Sequence, residues 1–478
     1  MKINTKSPSA PILTHEGARA SRTSVQEQLR RSVMSCLLWE DSFYESGEDI
    51  AARIAKLVKE NDAQFVADLA IETREQMKLR HIPLLLVREL ARNPEQRHVV
   101  GDTLERVIQR ADELSEFLAI YWKDGKDQPL AAQVKKGLAR AFAKFNEFQL
   151  AKYNRDADIK LRDVLFLTHA KPVDIAGRGK KIDALKTKSY QRGEVLRHSK
   201  SVFTCLVNDE LKTPDTWEVA LSAGKDKKAT FERLINEGQL GALALLRNLR
   251  KMTEENVDRD LIVKALSEMK TDRVLPFRFL SAAKYAPQFE PQLESAMFRS
   301  CEDMPKLTGK TVFIVDISGS MHGGNVSAKS ELTRVDAATA LTILIRELAE
   351  DPVIYATAGN DYSRVHATDL VPARRGFALK DAIWNLNGKL GQGGIFLKQV
   401  MDYVSSKEKT ADRVIVLTDE QDCDIKCSPE TANAFGKQNY IINVSIEKNG
   451  IAYKKWTHIN GWSENIIPFI RELESSNQ

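Results

Sequence analysis

Thr311–Met321 reads TVFIVDISGSM. Thr311–Val315 is a short β-branched apolar run, the composition of a parallel strand buried on both faces. Asp316-Ile317-Ser318-Gly319-Ser320-Met321 follows at once, so a carboxylate, two hydroxyls and a glycine stand where the strand ends. Beyond a polar loop, Val335, Ala338, Leu341, Ile345 and Leu348 mark one face of a helix. Pro352 is expected to stop that helix, and Val353–Thr357 reads as the next strand. Arg413–Thr418 (RVIVLT) and Tyr440–Ser445 (YIINVS) are further strands, with helices over 378–387, 396–406 and 465–474. Alternating strands and helices imply an open, mostly parallel sheet covered on both faces, with the boundary of this α/β domain near Met304–Gly309.

Upstream the pattern is helical from about Val25 to Ser300. Leu245, Leu249 and Met252 repeat at helical spacing, as do Leu261, Ala265, Leu266 and Met269. Breaks fall near Asn61, Pro83, Pro94, Pro129, Pro172, Pro214, Pro276 and Pro287. Many short helices with short links suggest an α-solenoid of paired helices, although no clean repeat is visible. Residues 1–22, rich in Ser, Thr, Pro and Lys, read as a flexible N-terminal arm. The expected division is therefore 1–22 arm, 23–303 helical domain and 304–478 α/β domain.

A chain of 478 residues is long for a single core, which fits two or three domains. The net charge of +5 is unevenly spread: the part before Leu307 is net basic and the rest net acidic. That asymmetry can mark a nucleic-acid-binding half or simply a solvated helical face. Five scattered cysteines argue against a disulfide framework and suit a reducing compartment. Cys423 and Cys427 lack a second pair or a nearby His and read as free thiols. No run approaches the roughly 18 apolar residues of a membrane span, and the N-terminus lacks an apolar leader core, so a cytoplasmic protein is expected.

Ligands of open α/β sheets gather at the carboxyl ends of the strands. Asp316, Ser318 and Ser320 would converge there as hard oxygen donors suited to Mg²⁺ or another divalent cation, and Asp419, at the end of the Arg413–Thr418 strand, could reach the same ion. The alternative is a Ser/Gly turn that caps a helix. Asp422 and Asp424 would add an acidic rim, and Arg374–Arg375 could offset it or be ordinary surface charge. The pattern resembles the metal-ion-dependent adhesion site of von Willebrand factor A domains. That resemblance implies an open coordination position filled by a partner's carboxylate, not a hydrolytic centre. It also implies a threonine from a second loop; here that loop reads Gly393-Gly394-Ile395, and Ile395 offers no side-chain oxygen.

The helical half resembles the TROVE domain of Ro autoantigen-type proteins. The resemblance is carried by Arg30–Gly47 (RRSVMSCLLWEDSFYESG), Leu165–Pro172 (LFLTHAKP), Gly241–Met252 (GALALLRNLRKM) and Arg273–Ala286 (RVLPFRFLSAAKYA). With the A domain behind it, the family order spans nearly the whole chain after residue 25. The resemblance implies a multidomain fold: an α-helical HEAT-like repeat ring followed by a Rossmann-like von Willebrand factor A domain. It also implies a basic outer surface for small noncoding Y-like RNA and a central hole for single-stranded ends of misfolded RNA. It implies work in RNA quality control or decay, with an exoribonuclease such as polynucleotide phosphorylase as a partner.

Residue by residue, the family's Leu-x-His-x-Lys-Pro pattern carries His169 and Lys171 over as hole-lining residues, and Lys152 of Lys152-Tyr153 is similar too. One family arginine falls on Asp156, where Arg155 could substitute. Arg178–Lys200, with Lys180, Lys181, Arg192, Arg197 and the interleaved Tyr190, could be an outer RNA strip or a solvated loop and helix. The alternative for His169 is a core histidine at a helix end, and for Lys152 and Lys171 solvent-facing charge. The expected function is a non-enzymatic RNA-binding scaffold, with a Mg-dependent protein-adhesion module as the alternative. A metal-dependent nuclease is not expected, because paired carboxylates able to hold two metals are not evident.

Overall fold

A computed structural model describes residues 13–14, 19–20, 24–34, 46–77, 79–125, 128–171, 201–271, 274, 276–302, 304–323, 332–425, 434–445, 450–451, 456–461 and 466–476. They form two compact units, Ile54–Leu234 and a discontinuous one of Met1–Arg53 with Ile235–Gln478.

The Ile54–Leu234 unit is helical among its described residues. Asp62 accepts from the backbone N–H groups of Gln64 and Phe65 and so starts the Ala63–Glu75 helix at the expected break. The His81–Arg92 helix is buried from Ile82 to Ala91. A helix apolar all round belongs in the middle of a helical stack. Its two buried charges, Arg88 and Glu89, neutralise one another at 2.8 Å. Pro83 sits in the first turn of this helix, where its missing N–H costs nothing, so it does not break it.

The other unit is built on a six-stranded sheet: β1 (Leu307–Asp316), β2 (Ala349–Asn360), β3 (Val365–Leu370), β4 (Ala411–Thr418), β5 (Gly436–Asn443) and β6 (Thr457–Asn460). The order is β3-β2-β1-β4-β5-β6, and every pairing is parallel except β2 with β3. Alternation divides the faces: Val312, Ile314, Val414, Val416 and Ile441 pack with Leu397, Val400, Met401 and Val404 of the Leu397–Lys407 helix. The Arg334–Leu348 helix also packs on β1. The expected parallel sheet is present, with two short additions that sequence patterning missed, β3 and β6. Pro352 does not end the Arg334–Leu348 helix: Ala349 is already extended, and Pro352 lies inside β2, beyond the reach of β3.

The unit boundary also differs from the expected cut at 303/304. The Pro276–Tyr285 and Glu290–Glu302 helices pack against the Arg334–Leu348 helix. Glu294 Oε1 accepts the Phe377 N–H at 2.8 Å, capping the Gly376–Leu390 helix. The expected flexible arm is anchored where it is described: Thr14 is buried and donates its hydroxyl to the Asp422 carbonyl at 2.9 Å.

Candidate cation site and RNA-facing residues

The parallel strands bring Asp316 and Asp419 to one edge of the sheet, both fully buried. Asp316 Oδ1 accepts the Ser318 N–H at 2.9 Å, and Oδ2 accepts the Thr418 hydroxyl at 2.6 Å. Ser318 and Ser320 face one another, Oγ to Oγ, at 3.4 Å. Gly319 lets the second loop close in, since a Cβ there would stand 3.0 Å from the Gln392 carbonyl oxygen. Burial, and then the neighbouring Asp419 charge, push the Asp316 carboxyl up to about 7 against the hydrogen bonds from Thr418 and Ser318. Asp419 Oδ2 meets Arg334 Nη1 at 3.3 Å, and both side chains are buried.

This donor set fits a divalent cation chemically: two carboxylates and two hydroxyls, all hard oxygens. Among the described residues no cluster of three or more His, Cys, Asp or Glu could hold a metal, so the hydroxyls are needed to complete any such site. Ile395 turns its side chain into the apolar core beside Val312 and Ile314, and its carbonyl accepts the Cys423 N–H at 2.9 Å.

Two expectations about the rim are corrected. Asp422 and Asp424 are buried, not surface charge. Asp422 Oδ1 accepts the N–H groups of Leu397 and Asp424, both at 3.2 Å. Arg374–Arg375 follow β3, whose antiparallel run carries the chain away from the Asp316 edge, because Leu370 pairs with Tyr355 while Asp316 pairs with Thr357. Arg375 instead binds Glu347 and lies over the Phe298 ring. Thr418, Arg334, Arg31 and Glu420 belong to this edge and were not picked out from sequence. Arg334 stands one residue before the apolar stripe that marks its helix, so nothing in the pattern distinguished it.

In the Ile54–Leu234 unit, an Asn146/Gln149 capping box starts the Glu147–Tyr153 helix. Lys152 near its end is half-buried, with Nζ 3.1 Å from Glu218 Oε1 and 5.7 Å from the Tyr153 ring centre. Arg155 is exposed, and Asp156 pairs with Lys160 at 2.5 Å. His169 ends the Leu161–Thr168 helix in the left-handed conformation, φ 54°. It is exposed, and so is Lys171, while Ala170 between them is buried. His169 is therefore not a core histidine. Phe148 and Leu167, 51% and 39% exposed, put apolar surface on the same two helices, a feature sequence reading passed over. Lys180, Lys181, Arg192 and Arg197 lie outside the described residues.

A helical array and a mostly parallel α/β sheet that ends on Asp-x-Ser-x-Ser define a two-part protein. The TROVE domain family model matches residues 209–370, a span that crosses the expected 303/304 boundary and takes in β1 to β3. Telomerase protein component 1 of Mus musculus is 28% identical over 165 residues, 33% of this chain and 6% of that protein. The protein of the same name in Rattus norvegicus is 34% identical over 92 residues, 18% of this chain and 4% of the relative. The match thus spans only a small fraction of these curated relatives. The crystal structure of the Deinococcus radiodurans RO (RSR) protein superposes with a TM-score of 0.57 at 17% identity, covering 92% of this chain and 97% of that one, a likeness of fold. Residues 209–370 thus match the TROVE domain, and across the rest of the chain the likeness to the Ro protein is one of fold. Among the described residues no helix is long and apolar enough to cross a membrane.

Proposed function

We propose that the chain is a non-catalytic RNA-binding scaffold of the cytoplasm, built from HEAT-like helical repeats and a von Willebrand factor A domain. The observation that carries this reading is the exposed His169–Lys171 turn at a helix end, in a chain whose residues 209–370 match the TROVE domain. Lys171 and Arg155 offer phosphate contacts that track a backbone with little sequence preference, and the His169 ring can stack on an unpaired base. Single-stranded ends of misfolded RNA are the substrate this suits. A small structured Y-like RNA would bind a separate basic surface, to which the Arg178–Lys200 segment would contribute. An exoribonuclease such as polynucleotide phosphorylase is the partner that would make RNA capture lead to decay.

Crosslinking the protein in cells and sequencing the attached RNA tests this directly. Small structured RNAs and frayed RNA ends, with crosslinks at His169 or Lys171, are expected. A crosslinked pool no richer than that of an unrelated basic protein would end the proposal.

A second role is favoured by the edge formed by Asp316, Ser318, Ser320 and Asp419. These side chains would hold Mg²⁺, and the bound ion would offer an open coordination position to a partner's carboxylate. RNA binding that survives EDTA while capture of an acidic partner protein is lost separates the two roles.

A further inference from the structure

We propose that Arg334 is the built-in counter-ion of the Asp316–Asp419 edge and competes with a divalent cation for Asp419. The inference rests on the cation reading above and adds what sets the occupancy of that site.

Charge balance is the first argument. Asp316 receives its hydrogen bonds from neutral donors, the Ser318 amide and the Thr418 hydroxyl. Asp419 Oδ1 accepts the Gln421 amide at 3.1 Å, and its Oδ2 faces the Arg334 guanidinium at 3.3 Å. The Arg334 guanidinium thus stands against one of two buried acidic side chains of this edge. A divalent cation between the two carboxylates would place two further positive charges beside it. Both cannot hold Asp419 closely in a site this far from water, because like charges at such range repel strongly where screening is weak.

The second argument is mechanical. Arg334 begins the Arg334–Leu348 helix, and its backbone is fixed by the capping box that Thr333 and Asp336 form, at 3.2 and 3.0 Å. The start of the helix therefore does not depend on the contact that the Arg334 side chain makes with Asp419. Its 3.3 Å contact is looser than the 2.9 and 2.6 Å fork that Arg413 makes with Glu474 in the same unit. A long contact of this kind to Asp419 is suited to give way to an ion and to re-form when the ion leaves. Arg334 in and cation out, or cation in and Arg334 out, are the two states of the edge.

The test is calorimetric titration of the full chain with Mn²⁺, comparing wild type with Arg334→Gln, Arg334→Lys and Asp316→Ala. Arg334→Gln is expected to bind Mn²⁺ about tenfold tighter than wild type, while Arg334→Lys, which keeps the charge, stays close to wild type. Asp316→Ala is expected to bind none. Without metal, Arg334→Gln is expected to melt below wild type, and excess Mn²⁺ should reverse that order. Equal or weaker uptake by Arg334→Gln overturns the competition and leaves the cation reading standing. No uptake by any of the chains removes the cation reading and the competition together. Should Arg334→Gln fail to fold, the wild type decides. Its Arg334 Nε–H resonance, assigned by its absence from Arg334→Lys, must lose exchange protection as Mg²⁺ is added, and unchanged protection at saturating Mg²⁺ overturns the proposal.

Discussion

Arg31 Nη1 lies 2.9 Å from Glu420 Oε1, and neither side chain reaches solvent. Glu420 stands one residue past Asp419, in the left-handed conformation at φ 59°. Its other oxygen accepts the Ile451 N–H at 3.0 Å, and His458 Nδ1 is 3.3 Å from Oε1. One turn earlier on the same Val25–Met34 helix, Glu27 Oε1 accepts from Asn460 at 2.9 Å. The helix is thereby tied to the carboxyl edge of the sheet, and the loop after β4 is held from both sides. Arg31→Met strands a buried carboxylate and is expected to cost about 3–5 kcal/mol, whereas Arg31→Met with Glu420→Leu, which strands no charge, should recover most of that loss. Urea unfolding of the three chains measures it. A single variant as stable as wild type would show that the pair contributes nothing.

The same pair predicts an acid limb. Burial by itself would raise the Glu420 carboxyl; the charges of Arg31 and His458, with their hydrogen bonds, outweigh it and bring the group down to about 2. A folded value below the unfolded one of about 4.3 means that the unfolded chain takes up the proton first. The stabilisation is therefore complete above about pH 4.3 and is lost as the pH falls towards 2. The stability gap between wild type and Glu420→Gln should be constant from pH 5 to 7 and close below pH 4. A gap that widens on acidification contradicts the assignment.

The strands that sequence reading found are those with unbroken apolar runs, such as Phe313–Val315 and Val414–Leu417, which are buried on both faces. β3 was not legible because none of Val365–Leu370 is fully buried; it is held by pairing with β2 after a hairpin, and hydrogen bonding leaves no mark on composition. β6 has four residues and is too short for a period. The helices from Pro276 to Glu302 were found as helices but placed with the wrong neighbours, because periodicity says which face is apolar and not what covers it. The candidate site divides the same way. Asp316, Ser318 and Ser320 are adjacent in sequence and chemically marked. Arg334 and Arg31 act through contacts 85 and 389 residues away, which no local pattern encodes.

Single-stranded RNA should respond unequally to the basic residues of the Ile54–Leu234 unit. Lys171 is exposed, while Lys152 is partly neutralised by Glu218. His169→Ala with Lys171→Glu is expected to weaken binding by about 1–3 kcal/mol through lost stacking and a reversed phosphate contact. Lys152→Ala should cost less, and Glu218→Gln, which releases Lys152, should strengthen binding slightly. Filter retention at several salt concentrations checks both affinity and slope; the double variant should show the shallower dependence of log affinity on log salt. Unchanged retention by the double variant would move the binding surface elsewhere.

Asp422 gives the opposite pH signature to Glu420. Burial, with the Asp424 charge behind it, raises its carboxyl to about 7 in spite of hydrogen bonds from the Asp424, Leu397 and Cys423 backbone. A folded value above the unfolded one of about 3.9 means that the folded chain holds the proton longer, so stability declines as the pH rises from about 4 to about 7. Asp422→Asn keeps an oxygen for the Leu397 and Asp424 amides and removes the charge. It should match wild type near pH 4 and exceed it at pH 8 by up to about 4 kcal/mol, an upper bound if the loop stays closed to water. Thermal unfolding of both chains across that range decides the point. If Asp422→Asn is the less stable chain at pH 8, the ionised carboxylate is a favourable cap on the Leu397–Lys407 helix, and the field of that helix outweighs the burial of the charge.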